Sequence, residues 1–164
     1  MYEKIVVPLD GSKLAECVLP HVEELVKGGS TQEIILVTVT ERIVASVGVT
    51  HVIPSVEPLP RPQPVYKVPA AIGKKQRQGQ RYLNRIAKGL EKKRIKVRVE
   101  VLLGNPAEEI ASFTEHDGAD LIIMASHGRS GPSRWAYGSV SDKVFRASCV
   151  PVLMIRAPGC VLGI

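Results

Sequence analysis

Residues 120–141 read DLIIMASHGRSGPSRWAYGSVS, and the change of pattern inside them decides the fold. Asp120 to Ser126 is apolar nearly throughout, as expected of a strand covered on both faces. Glycines and serines follow, and at Ser139-Val140-Ser141-Asp142 a helix start is predicted, running to about Ser148. A doubly buried strand, a glycine-bearing loop and a helix in succession belong to a parallel sheet whose strands are joined by helices.

The same alternation continues on both sides. Lys4 to Leu9 (KIVVPL) is a short apolar run closed by Asp10-Gly11-Ser12, a strand and a turn. From Ser12, Leu14, Val18, Val22, Leu25 and Val26 recur at helical spacing; Ser12 can cap the first turn and Gly28 can supply a left-handed stop. Pro20 is expected to kink this helix, since it removes a backbone donor and crowds the preceding turn. Glu33 to Val39 (EIILVTV) reads as a second buried strand. Lys96 to Leu103 alternates Val97, Val99 and Val101 with Arg98 and Glu100, which suits an edge strand. In Asn105-Pro106-Ala107-Glu108, Asn caps, Pro takes the first helical position and Glu completes a capping box, opening a helix that ends near Asp117-Gly118. Pro151 to Ile155 is a fifth strand. The fold class expected is α/β, a parallel sheet with helices on both faces.

Two segments stand apart. Residues 43–70 form a long irregular excursion, because six of the twelve prolines fall between Pro54 and Pro69 and their spacing forbids a helix. A basic helix follows from about Ile72 to Lys93, with Leu83, Ile86, Ala87 and Leu90 on its apolar face. Residues 67–98 hold twelve Lys or Arg against the single acid Glu91 and carry +11, so a total of +6 leaves −5 for the remainder. The basicity thus belongs to one element, whose charged face is read as solvated, and it matches no nucleic-acid-binding module.

With 164 residues, 45% hydrophobic and 23% charged, a single globular domain over 1–156 with a tail at 157–164 is expected. No apolar run reaches the roughly 18 residues of a membrane span, and MYEKIVVPLDGS lacks a signal peptide's apolar core, so a cytoplasmic protein is expected. Cys17, Cys149 and Cys160 are too widely spaced for a zinc site and odd in number, pointing to reduced thiols, two of them in apolar surroundings. His21, His51 and His116 lack metal-ligand spacing, and Trp135 reads as a packing or interface residue.

In an open parallel sheet, ligands sit beyond the carboxyl ends of the strands where the strand order reverses. Only the first and fourth strands lead into loops of small polar residues, and if these strands are neighbours at that point both loops face one crevice. Gly128 and Gly138 would let backbone approach phosphate oxygens, Ser139 and Ser141 would add hydroxyls, and the helix N-terminus beyond Gly138 favours an anion. Asp10 could accept hydrogen bonds from ribose hydroxyls, and the backbone of Val39 could read an adenine edge. His127 is read as shaping the loop, and Arg129 as either a phosphate partner or a solvated cation.

The segment ASHG-RSGPSRWAY-GS resembles the G-x-x-G, nine residues, G-[S/T] signature of the nucleotide-binding universal stress proteins. Gly128 matches its second glycine, Arg129 to Tyr137 preserve the spacing, Gly138-Ser139 match its end, and Ala125 replaces its first glycine. Ile5 to Ser12 is similar to that family's I-x-V-P-x-D-x-S opening, and Pro151 to Ile155 to its closing strand. The resemblance implies an open five-stranded sheet in the order 3-2-1-4-5, Rossmann-like and similar to the adenine nucleotide alpha hydrolases. It implies an adenine nucleotide (ATP, ADP or AMP) held by Pro8, Leu9, Asp10, Gly11, Ser12, Val39, Met124, Ala125, Ser126, His127, Gly128, Arg129, Gly138, Ser139, Val140 and Ser141. It also implies homodimers paired through the last strand, Val150 to Arg156, acting on a regulatory partner in the stress response. No catalytic residue and no protein metal site is expected, although Mg or Mn could accompany the phosphates. Two other readings stay open at this point: a nucleotide-independent partner-binding dimer, which Ala125 keeps in play, and slow ATP hydrolysis. Without a Walker A lysine a fast P-loop ATPase is not expected.

Overall fold

The computed structural model describes residues 2–29, 31–40, 70–127 and 138–156. Nearly all of the Pro-rich excursion, Gly128, Arg129, Trp135, Cys160 and the tail lie outside the described residues. Five strands, β1 (Lys4–Pro8), β2 (Glu33–Thr40), β3 (Val97–Leu103), β4 (Leu121–Ala125) and β5 (Val152–Ile155), alternate with helices α1 (Leu19–Lys27), α2 (Ala70–Glu91), α3 (Pro106–His116) and α4 (Ser139–Ala147). All strand pairs are parallel and the order is β3-β2-β1-β4-β5, as the family resemblance implies.

The three inner strands explain the layering. In β1, Ile5 and Val7 turn to one face and Val6 to the other, and all three are fully buried. One apolar cluster joins Ile5, Val7, Ile34, Leu36, Leu121 and Ile123 to Val18 and Val22, and to Leu83, Ala87 and Leu90 of α2. The second joins Val6, Ile35, Val37, Ile122 and Met124 to Ile110 of α3 and Val144 of α4. Each buried Val, Leu or Ile is worth about 1.5–3 kcal/mol, so these two layers outweigh the exposed ion pairs that decorate α1 and α2.

Local chemistry sets the helix ends, with some departures from expectation. Pro20 does not kink a long helix: a 3-10 turn, Ala15–Val18, comes first, and Pro20 sits in the first turn of α1, where its missing N–H costs nothing. The left-handed residue after α1 is Gly29 (φ 82°), Gly28 remaining right-handed. Asn105 caps α3 by accepting from Ala107 N at 3.1 Å, and α4 is capped by Gly138 with no side-chain bond. Cys17 is half-buried, whereas Cys149 is exposed.

The amino ends of β1 and β4 are pinned together. The Asp120 carboxylate accepts from the backbone N–H groups of Glu3 (2.9 Å) and Lys4 (3.2 Å), and Asp120 N donates to Lys4 O at 3.0 Å. Beside them Arg98 of edge strand β3 donates to the Asp117 carboxylate at 2.5 Å, and Lys4 Nζ lies 3.2 Å from it. Burial pushes the Asp117 carboxyl up, but the hydrogen bonds from Arg98 and Lys4 outweigh it and hold the group below the usual carboxylate range. A carboxyl depressed in the folded state stabilises the fold above its unfolded pKa of about 3.9, and that stability is lost as pH falls through the folded value. Asp117→Asn should therefore destabilise by about 0.5–1 kcal/mol in urea unfolding at neutral pH. The gap to the parent should close progressively below about pH 4. A gap that stayed constant into acid would contradict this role.

Candidate functional site

At the carboxyl ends of the strands β1 and β4 stop pairing early. Their register runs only through Ile5↔Leu121 and Val6↔Ile122, whereas β1 pairs with β2 along its whole length to Pro8↔Val37. Leu9 N donates to Val37 O of β2 at 2.8 Å, so by strand alternation the nitrogen of Pro8 faces β4. The next rung of the β1–β4 ladder would be an N–H from residue 8 to the carbonyl of Ile123, and proline has no hydrogen to give. A cleft of about 630 Å³ opens beyond this point, lined by both strand ends and by residues of β2, α2, α3 and α4.

On the β1 side the turn is fixed internally. Asp10 Oδ1 accepts from Ser12 N at 2.9 Å, Gly11 takes a left-handed φ of 86°, and Ser12 Oγ accepts from Ala15 N at 3.1 Å. This Asx-type turn keeps Asp10 and Gly11 at the cleft wall, with Ser12 behind them holding the first residue of the 3-10 turn. Val39, near the end of β2, lines the opposite side. The Thr40 carbonyl accepts from Gly104 N on the β3 side, so the backbone groups of Val39 turn the other way, past the end of β1 and toward the cleft.

On the β4 side Met124, Ala125, Ser126 and His127 are all buried. The Ser126 carbonyl is the anchor: it accepts from Gly138 N at 2.8 Å and from the Ser141 hydroxyl at 2.7 Å. Ser126, at the end of β4, and Gly138, at the start of α4, are thereby held together, and α4 is forced to begin at the cleft. The Ser141 hydroxyl also lies 2.9 Å from Gly138 O, so its proton serves this clamp. The first intrahelical bond runs from Asp142 N to Gly138 O, which leaves the N–H groups of Ser139, Val140 and Ser141 without intrahelical acceptors. A Cβ on residue 138 would stand 3.2 Å from Ser126 O and 3.3 Å from Ser141 Oγ, so any side chain there would strain the clamp.

His127 Nδ1 lies 3.0 Å from Ser126 Oγ in this buried layer, and Ala125 packs within the apolar cluster that holds Ile155. Of the residues expected from sequence, Pro8, Leu9, Asp10, Gly11, Val39, Met124, Ala125, His127, Gly138, Ser139, Val140 and Ser141 line the cleft. Ser12 and Ser126 stand just behind the lining and shape it, and Gly128 and Arg129 lie outside the described residues. Sequence reasoning missed Lys75, Gln78, Gly79 and Tyr82 of α2 and Pro106 and Ile110 of α3, all of which line the cleft. Of the three glycines of α2, Gly73, Gly79 and Gly89, only Gly79 marks the cleft wall, and the sequence does not distinguish it from the other two.

Glu16 ties that wall to the β1 loop, accepting from Arg85 of α2 at 3.1 Å and from Lys13 at 2.9 Å. Burial pushes the Glu16 carboxyl up, but Lys13 and Arg85 prevail and lower it. The Tyr82 phenol is pushed well above its usual range by burial and then by the Glu16 carboxylate, so it is neutral at any physiological pH. The Arg85 guanidinium lies 5.4 Å from the Tyr82 ring centroid. Among the described residues no cluster of three or more His, Cys, Asp or Glu could hold a metal, and no helix is long and apolar enough to cross a membrane.

The chain matches the model of the universal stress protein family over residues 1–156. It belongs to that family. Universal stress protein MJ0577 of Methanocaldococcus jannaschii is 30% identical over 156 residues, covering 95% of this chain and 96% of the relative. The solved MJ0577 structure superposes with a TM-score of 0.76 at 30% identity, covering 97% and 99% of the two chains. An Arabidopsis thaliana universal stress family protein, solved with AMP bound, has a TM-score of 0.61 at 16% identity over 96% and 93% of the chains. A universal stress protein solved in complex with cAMP has a TM-score of 0.56 at 18% identity over 95% and 98%. At such identities the last two likenesses are of fold.

If the missing donor of Pro8 is what holds the cleft open, Pro8→Val should restore a rung to the ladder. The new amide at position 8 should then be protected in hydrogen exchange like those of Val6 and Val7, with stability changed by less than about 1 kcal/mol. An amide at that position exchanging at the rate of a surface loop would contradict the explanation.

Proposed function

We propose that this universal stress family protein binds an adenine nucleotide in the cleft between β1 and β4. The observation that carries the reading is the open N-terminus of α4, whose backbone donors line the cleft beside side-chain-free Gly138. Aligned N–H groups and the positive end of the helix dipole suit a phosphate. Asp10 then accepts from the ribose hydroxyls, and the backbone of Val39 meets the base edge. AMP and cAMP in two proteins of this fold support the ligand class. Gly128 and Arg129, and Mg or Mn on the phosphates, complete this proposal, and ATP is the form that would use the α4 donors most fully.

The site is wired to the sheet edge. Ser126 N donates to Ile155 O of β5 at 2.7 Å, while its carbonyl holds Gly138 and Ser141. β5 is an edge strand with Leu153 exposed, and Phe145 of α4 is exposed as well. In our reading a second copy pairs along Val150 to Arg156, and a bound nucleotide, by tightening α4 on Ser126, alters that pairing. The protein then serves as a cytoplasmic stress regulator whose assembly reports nucleotide.

Titration calorimetry with ATP, ADP and AMP tests the binding. The native protein should release heat with saturation, and Gly138→Val should bind at least about tenfold more weakly while keeping its circular dichroism and cooperative unfolding. Sedimentation of the same samples should show a dimer whose stability changes with nucleotide. Absence of heat and of any thermal shift at millimolar nucleotide would sink the reading.

A further inference from the structure

α2 runs back along the sheet to enter β3, so its amino-terminal half lies at the carboxyl ends of the strands. There Lys75, Gln78, Gly79 and Tyr82, three, four and seven residues apart, turn one helical face along the cleft. Gly79 sets how near that face comes. A Cβ on it would lie 2.8 Å from Thr38 Cγ2, and Thr38 is a buried, β-branched residue of β2 whose methyl has little freedom to move. A glycine weakens a helix interior, so its presence where α2 meets β2 is accounted for by this close approach. The approach brings Gln78 and Lys75 to the cleft that Val39 and Thr40 at the end of β2 also line. Both side chains are exposed, and among the described residues no carboxylate pairs with Lys75. Among the described residues neither the core nor an ion pair explains their position.

We propose that α2 is the base-selective wall of the cleft: Gln78 and Lys75 contact the base and sugar of the bound nucleotide. The inference rests on the nucleotide reading above. A ligand whose phosphates lie on α4, beyond β4, extends its other end across β1 toward β2, Val39 and α2. The Gln78 amide presents one donor and one acceptor side by side, which match N7 and N6–H of adenine. Guanine offers two acceptors at the same edge, so one of its groups would face an acceptor and be left unpaired. The Lys75 ammonium can only donate, and a ribose oxygen accepts from it irrespective of the base.

Calorimetric titration of the native chain, Gln78→Ala and Lys75→Ala with ATP and GTP tests this. Gln78→Ala should weaken ATP binding about fivefold to tenfold and leave GTP nearly unchanged, so that the preference for ATP falls. Lys75→Ala should weaken both nucleotides by a similar factor of about three to ten. Melting temperatures should hardly move, because both side chains are exposed. Native affinity and native ATP preference in both variants would overturn the role of α2 and leave the nucleotide site standing. A native chain that binds neither nucleotide would instead overturn the site itself, and this inference with it.

Discussion

The site depends on one absent hydrogen. β1 is the central strand, buried on both faces through Ile5, Val6 and Val7, and such a strand would ordinarily exchange hydrogen bonds with both neighbours along its whole length. Pro8 ends the ladder on the β4 side alone, since Leu9 still donates to Val37 of β2. At their other ends β1 and β4 are held by the Asp120 carboxylate and the Lys4 carbonyl. Two strands fixed at one end and released at the other must diverge, and the divergence falls where the strand order reverses and a parallel sheet places its ligands. A ladder bond forgone costs about 0.5–1.5 kcal/mol, little beside the burial of three aliphatic side chains, so the sheet tolerates it.

Ser126 converts the gap into a site. Its N–H holds β5 and its carbonyl holds Gly138 and Ser141, so one residue links the edge of the sheet to the start of α4. Without that clamp nothing in the described residues would hold the start of α4 at the end of β4. With it, Ser139, Val140 and Ser141, whose N–H groups have no intrahelical acceptor, line the cleft, and the fold sets their place before any ligand arrives. Gly138 is required for the closeness of the clamp, its φ of −58° being open to any residue. The helix opposite is drawn in by the same device, since Gly79 removes the side chain that would hold α2 off Thr38.

Much of this is legible in the sequence because it is written in local patterns. Apolar runs of four to eight residues mark β1, β2, β4 and β5, the valine alternation of 97–101 marks the β3 edge, and Asn105-Pro106 marks the start of α3. The switch-point rule, together with the strand order that the family resemblance implies, then brings Asp10 and Gly138 to one cleft. What escapes is set by tertiary contact. Pro20 reads as an interruption because periodicity continues through it, whereas the chain spends Ala15–Val18 in a 3-10 turn and lets Pro20 begin α1. Gln78 and Lys75 look like two members of a solvated polar face, since nothing local says which face of a basic helix will overhang a neighbouring strand. Ser141 reads as a phosphate donor, yet its hydroxyl proton is directed at Ser126 and Gly138. The Pro-rich segment and the tail lie outside the described residues.

The central claim is that nucleotide phosphate meets the start of α4 in a cleft opened by Pro8. Amide chemical-shift mapping of isotopically labelled protein during an ATP titration addresses it most directly. The largest shifts are expected at Gly138, Ser139, Val140 and Ser141, with Gly11 and Val39 following, and no movement at Lys4, Glu33 or Asp120 at the far ends of the strands. Shifts centred on β3 or on those far ends, or none at millimolar ATP, would contradict it.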